Sequence, residues 1–269
     1  KYLMDEWWDK ISTSKNIRKN QKSLNIYRES LKPGNITLLG LITEGGQGLA
    51  TANNGKYIGI LEGTRYARAI KFSRPNKLFE SINKFNIKEF EFIKCKNDAI
   101  KFLNNKNEFE IRAIFDQLKE KYGRDIFGQG YLYRIIKKDE IADLQYLSQN
   151  EKENGIVGLK TYIPYEKGDK EGNRWYFETP YYIDWSKENV NYLKNNSGKK
   201  GIGMPVVRNP QYYFREGFCW SDIHTVLIKA RLKTKGIHDV KSMSLFTLIP
   251  DKCPEYYLIT ILNSKFMSE

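Results

Sequence analysis

The chain has 269 residues, with 45 lysines and arginines against 32 aspartates and glutamates and a formal net charge of +13. It is long enough to bury a core unaided, its three cysteines (Cys95, Cys219 and Cys253) exclude a disulfide framework or a zinc ribbon, and no apolar run approaches the ~18 residues of a spanning helix. These features point to a cytoplasmic protein off the membrane, with no metal site built on its two histidines, His224 and His238, and with a polyanion, nucleic acid first, as its partner.

The opening, Lys1 to Trp8, lacks the charged-then-apolar order of a signal peptide, and without a leading methionine it reads as the start of an excised piece. Glu6 to Leu31 is a charged helix that Pro33-Gly34 ends. Ile36 to Ile42 has strand character, the glycine-dense stretch from Glu44 to Lys56 follows with an Asn54-Gly55 turn, and Tyr57 to Leu61 resumes as a strand. Thr64 to Lys121 is helical and lysine-rich. Its clearest part is Glu108 to Tyr122, where Phe109, Ile111, Ile114, Phe115 and Leu118 make one apolar stripe and Gly123 supplies the stop.

Beyond Gly128 short strands dominate: Tyr131 to Ile136, Thr161 to Tyr165, Arg174 to Trp185, Phe218 to Ile223, Thr225 to Leu232 and Met243 to Ile249. Helices are expected at Lys138 to Leu147, Ser186 to Asn195 and Pro254 to Phe266. The class is therefore α+β, with a helical, lysine-rich first half and a strand-dominated second half, and not a doubly wound sheet. The habit changes near residues 123–130, which sets a soft subdivision there.

Several segments carry candidate chemistry. Gly45 to Lys56 has the bare backbone of an anion cradle but no Gly-Lys-Ser/Thr, so it is no P-loop; Gln47, Asn53, Asn54 and Lys56 either project toward a large ligand or decorate a tight turn. Gly201 to Ile223 packs Arg208, Asn209 and Arg215 among rings. There Tyr212, Phe214, Phe218 and Trp220 alternate at period two, as the packed face of a strand would. Lys167 to Trp175 is a charged loop ending in Arg174-Trp175, and Lys229, Arg231, Lys233 and Lys235 share one face of a strand, where they either grip phosphates or guard an edge.

Two catalytic patterns are incomplete. Phe127-Gly128-Gln129-Gly130 with Asn209-Pro210-Gln211-Tyr212 imitates the cofactor turn and base-holding motif of an amino-methyltransferase, but no buried strand precedes the first and Gln211 replaces the proline of the second. Asp222, Asp239 and Lys241 could be drawn as a nuclease cluster, although solvated turn residues explain them better.

Residues 44–57, then Arg174-Trp175-Tyr176 with Tyr182-Ile183-Asp184-Trp185, then residues 208–223, and finally Leu262-Asn263-Ser264-Lys265 together resemble the target-recognition region of type IIG, Eco57I-like restriction-modification enzymes, which join an N6-adenine DNA methyltransferase to its specificity domain. The likeness spans roughly residues 36–267. It implies a target-recognition fold over 36–269, truncated at its C-terminus, with 1–35 a helical lead-in from a methyltransferase core of the same polypeptide. The partner so implied is double-stranded DNA, with the target adenine presented to that core.

Gln47, Asn53, Asn54, Lys56, Arg174, Trp175, Arg208, Asn209, Tyr212, Arg215, Trp220, Ser221, Lys229 and Arg231 are the implied DNA contacts, while Trp220 and Tyr213 are the rings best suited to a core. S-adenosylmethionine belongs to the parent enzyme, which would methylate and could also cleave; no cofactor, metal or catalytic residue is expected in this piece. Two rivals stay open: that the chain is itself the methyltransferase, and that it is a non-catalytic protein-interaction module.

Overall fold

Residues 21–35, 37–123, 126–127, 133–169, 172–221 and 228–265 are described in the computed structural model, Ser221 by its backbone alone. The architecture is α+β, built on two small sheets and a helical unit, and it is not doubly wound.

The helices come first because their ends are well specified. In α4 (Arg65–Phe85) the Thr64 hydroxyl accepts from the Ala67 amide at 3.1 Å, and Asn86 ends the helix in the left-handed region at φ 50°. In α6 (Glu108–Tyr122) Asn107 and Glu110 form a reciprocal capping box. With α5 (Lys96–Asn104) they enclose Leu78, Ile82, Leu103, Ile111, Phe115 and Phe127. Phe109, expected in the apolar stripe of α6, is 66 % exposed and lies 4.1 Å from the Arg134 guanidinium. The unit is fastened to the first sheet by Arg74, 4 % exposed, which pairs with Glu108 at 2.8 Å and also donates to the Tyr133 carbonyl.

The first sheet is mixed, in the order β3 (Arg134–Ile136), β2 (Ile58–Leu61), β5 (Tyr181–Asp184), β4 (Tyr162–Glu166), β8 (Ile237–His238). Strands β2 and β3 pair in parallel, so a long crossover must join them, and the helical unit is that crossover. Ile58, Ile60, Ile135, Ile163, Tyr165 and Ile183 fill its core.

The second sheet is antiparallel, in the order β1 (Thr43–Gly46), β9 (Ser242–Thr247), β6 (Gly217–Ser221), β7 (Arg231–Lys233). Leu258 and Ile259 of α9 (Glu255–Leu262) pack beneath it with Ile42, Phe218 and Ala230. Asn263 completes that layer by bonding both the amide and the carbonyl of Ala230, at 2.9 and 2.7 Å.

Several expected elements differ. Of the run at 36–42, Leu39–Ile42 is a single helical turn, α2, Ile36 lies outside the described residues, and the strand falls on the glycines instead. A side chain at Gly45 would sit 2.1 Å from the Ser244 carbonyl oxygen, so the close approach of β9 demands glycine there. Asn54-Gly55 begins a helical turn, α3 (Asn54–Tyr57), rather than a hairpin, because β1 and β2 belong to different sheets. Of Lys138 to Leu147 only Lys138–Glu140 is helical, and of Arg174 to Trp185 only Tyr181–Asp184 is strand. Of the predicted lead-in helix, α1 (Gln21–Ser30) is seen, held to the turn after β9 by Lys252, whose ammonium bonds three carbonyls between Arg28 and Leu31; residues 6–20 lie outside the described residues.

The two sheets meet at a buried ion pair. Arg231 of β7 and Glu166 of β4 are 2.9 Å apart, with side chains 1 % and 0 % exposed. Thr234 donates to the second carboxylate oxygen at 3.3 Å, and Lys233 donates to the carbonyls of Arg215, Thr234 and Gly236. This corrects the expectation that Arg231 and Lys233 face a phosphate backbone. They do share one side of a strand, but that side looks into the other sheet, and burial depresses the Lys233 ammonium to a pKa of about 8.

Arg231→Met should lower the unfolding free energy by about 3–5 kcal/mol because it strands the Glu166 carboxylate, whereas Arg231→Met/Glu166→Met should recover most of that loss. Urea unfolding followed by tryptophan fluorescence reads both. A single variant as stable as the parent would show that the pair does not hold the sheets.

Candidate nucleic-acid interface

Strand β1 runs out into the glycine loop, and the loop is tied to a segment far away in sequence. The Leu49 amide donates to the His238 carbonyl at 2.8 Å, Ala50 and Val206 exchange a pair of backbone bonds, and Asn209 donates to the Gln47 carbonyl at 2.8 Å across 162 positions. Glu44 pairs with Arg215 at 2.8 Å and stands 3.5 Å from the Tyr212 hydroxyl. Tyr212 stacks on Phe246 with centroids 5.0 Å apart, and the Arg215 guanidinium lies 4.8 Å from that same ring. Residues 44–50 and 206–215, which include parts of the motif segments 44–57 and 208–223, are thus joined side by side.

Glycine is obligatory at the crossing. A side chain at Gly48 would meet the His238 carbonyl oxygen at 1.8 Å, so the loop lies directly on β8. Farther along, Thr51 donates to Asn54, Asn53 precedes the helical turn α3, and the Lys56 ammonium sits 4.5 Å from the Tyr192 ring of α8 (Lys187–Asn195).

The candidate residues sort by what already engages them. Asn209, Asn54, Tyr212 and Arg215 have protein partners and shape the surface. Gln47, Asn53, Lys56 and Arg208 are half-buried at its margin. Phe218 is fully buried and Trp220 packs on the same core, while Tyr212 lies in a short 3-10 turn and Phe214 in a left-handed conformation, so the alternating rings do not belong to one strand. Ser221 ends β6, with its side chain outside the described residues.

Arg174, Trp175 and Lys229 are elsewhere. The Trp175 amide donates to the Ala230 carbonyl and its carbonyl accepts from Leu232, so Arg174 and Trp175, both exposed, extend the second sheet beyond β7. Four strand spacings separate that edge from β1, about 19 Å. Lys229 lies against Gly172 at the same edge.

Of the two incomplete catalytic patterns, only part of each falls within the described residues. Phe127 is buried in the helical core, 4.5 Å from Phe115, whereas Asn209 is bonded under the glycine loop; Gly128 to Gly130 lie outside the described residues. Asp239 is buried and accepts from the Tyr165 hydroxyl at 2.8 Å and the Lys241 amide at 2.7 Å, while Asp222 lies outside the described residues. Among the described residues no group of three or more His, Cys, Asp or Glu side chains could hold a metal ion.

Two features escaped the sequence. His238, fully buried beneath the loop, makes ring contacts with Tyr213 and Phe246 and lies against the Gly46 backbone. Burial, aided by the nearby Lys233 charge, pushes its pKa down to about 3. A lone histidine between isoleucine and aspartate carries no local signal of this. The second is a cleft of about 670 Å³ between residues 207–215 and the helices α7 (Gln149–Asn154) and α8. No protein-family model and no curated protein matches the chain.

His238 sets a pH response. Its unfolded-state pKa lies near 6.5 and its folded-state pKa near 3, so the unfolded chain binds the extra proton between those values and stability falls as pH drops through that window, by at most about 1.4 kcal/mol per pH unit. His238→Phe, referred to its own stability at pH 7, should lose less than the parent by pH 4. Equal losses in chemical denaturation would show that the imidazole does not titrate in this way.

Proposed function

We propose that this chain is the sequence-specific recognition region of a bacterial restriction-modification adenine-N6 DNA methyltransferase, and that it grips duplex DNA for a catalytic core elsewhere in the same polypeptide. The observation that carries this reading is the convergence of the glycine loop with residues 206–215, since two distant motif segments of the resembled family need a reason to build one surface. A chain with a net charge of +13 supplies the electrostatic attraction.

Roles follow from what each side chain already does. Arg208, Gln47 and Asn53 are offered to base edges, for guanidinium forks and amides match the donor and acceptor pairs of guanine and adenine. Lys56, Arg174 and Lys229 are offered to phosphates. Asn209, Tyr212 and Arg215 hold the surface in shape, and Arg231 leaves the contact set because it is spent inside. In this reading S-adenosylmethionine and the flipped adenine belong to the parent's core.

Gel-shift titrations on duplex DNA at several salt concentrations test the reading. Retardation should weaken steeply with salt, and Arg174→Ala/Lys229→Ala should reduce the slope of log K against log salt by about 2, near 0.9 for each phosphate no longer neutralised. No retardation even at low salt would overturn duplex binding.

A further inference from the structure

The cleft beneath residues 207–215 shares Arg215 with the surface described above, but none of the residues offered there to bases or phosphates lines it. Its inner wall is aromatic: Trp185, Tyr213 and Phe214 line it, with the Trp185 ring 6.2 Å from Tyr213 and 5.9 Å from Phe214, both near edge-on. These rings are held in place. Trp185 is 4 % exposed and its indole N–H donates to the Lys152 carbonyl at 3.1 Å, while the Phe214 amide donates to the Gly236 carbonyl at 3.0 Å.

Two residues of the overlying segment adopt the left-handed backbone region, Asn209 at φ 48° and Phe214 at φ 60°. Asparagine tolerates it, but a bulky ring there is a genuine outlier, and such conformations concentrate at ligand sites because the surroundings must enforce them. The Tyr213 hydroxyl, in the same wall, is buried beside the Arg208 backbone, and burial pushes the phenol's pKa upward. The lining also contains Lys152 and Lys194 with one carboxylate, Glu153, while Arg215 at its edge is already paired with Glu44. The volume falls in the range of small-ligand sites.

Rings for a planar group and cations for an anion make a specific combination. We propose that this cleft binds a nucleoside phosphate unit, its base against the wall formed by Trp185, Tyr213 and Phe214 and its phosphate toward Lys152 and Lys194. The unit comes either as a free mononucleotide or as one unpaired nucleotide of a nucleic-acid strand. Neither source requires the surface formed by residues 44–50 and 206–215 to bind duplex DNA.

The test uses the whole chain with two probes, adenosine monophosphate by calorimetry and a short single-stranded oligonucleotide carrying 2-aminopurine by fluorescence. At least one should give saturable binding that weakens tenfold or more in Lys152→Glu/Lys194→Glu and changes less than twofold in Lys84→Glu/Lys88→Glu, which makes the same charge change at exposed positions of the helical unit. A calorimetric signal identifies the free nucleotide as a ligand; quenching of 2-aminopurine without it identifies the strand. Silence from both probes, or responses that the cleft variant leaves intact or that both variants weaken alike, would overturn the proposal. Failure of duplex retardation with mononucleotide binding retained would contradict the duplex reading and not this one.

Discussion

A guanidinium and a carboxylate, removed from water where two sheets abut, hold this molecule together. Either charge alone would be intolerable inside; together, Arg231 and Glu166 hold β7 against β4, and the pairing fixes how the antiparallel sheet sits on the mixed one. The Asp239 amide donates to the Glu166 carbonyl from the other side, at 2.8 Å, so the carboxylate's own backbone also anchors the connection between β8 and β9. Replacing such a pair by apolar groups can leave stability unchanged, so its value here is positional.

That positioning reaches the candidate interface in two bonds. Lys233, one pleat repeat along from Arg231, holds the Arg215 and Gly236 carbonyls, and Gly236 in turn accepts from the Phe214 amide. The seam therefore supports residues 206–215 from below while Glu44, Gln47 and Ala50 tie them from the glycine loop. A strained backbone at Asn209 and Phe214 persists because both sides hold it. Cationic residues are thereby divided: those spent on carbonyls and carboxylates make the scaffold, and others, among them Arg208, Lys56 and Arg174, are half-buried or exposed, where the proposed duplex contact would use them.

The parts legible in the sequence were those decided by local chemistry. Capping residues and the stripe of Ile111, Phe115 and Leu118 specify α6 without reference to anything distant, and α8 and α9 likewise fall close to their predicted spans. Short strands whose edges are set by partners were less legible. The glycines of β1 look like loop until β9 approaches Gly45, and the apolar turn before them looks like strand. Charge misled most at β7, where alternation correctly put Arg231 and Lys233 on one face but could not tell solvent from a facing carboxylate. The two motif segments could be singled out one by one; their contact depends on long-range topology, and the cleft and the buried His238 depend on it too.

Amide hydrogen exchange with and without duplex DNA, at low salt, tests the central claim most directly, because it reads every segment at once. Binding should slow exchange in residues 44–56 and 206–215 together, with a smaller effect at 172–176, and leave the lysine-rich helices α4 to α6 unchanged. Protection confined to those helices, or none in either motif segment under conditions where the complex forms, would contradict the account.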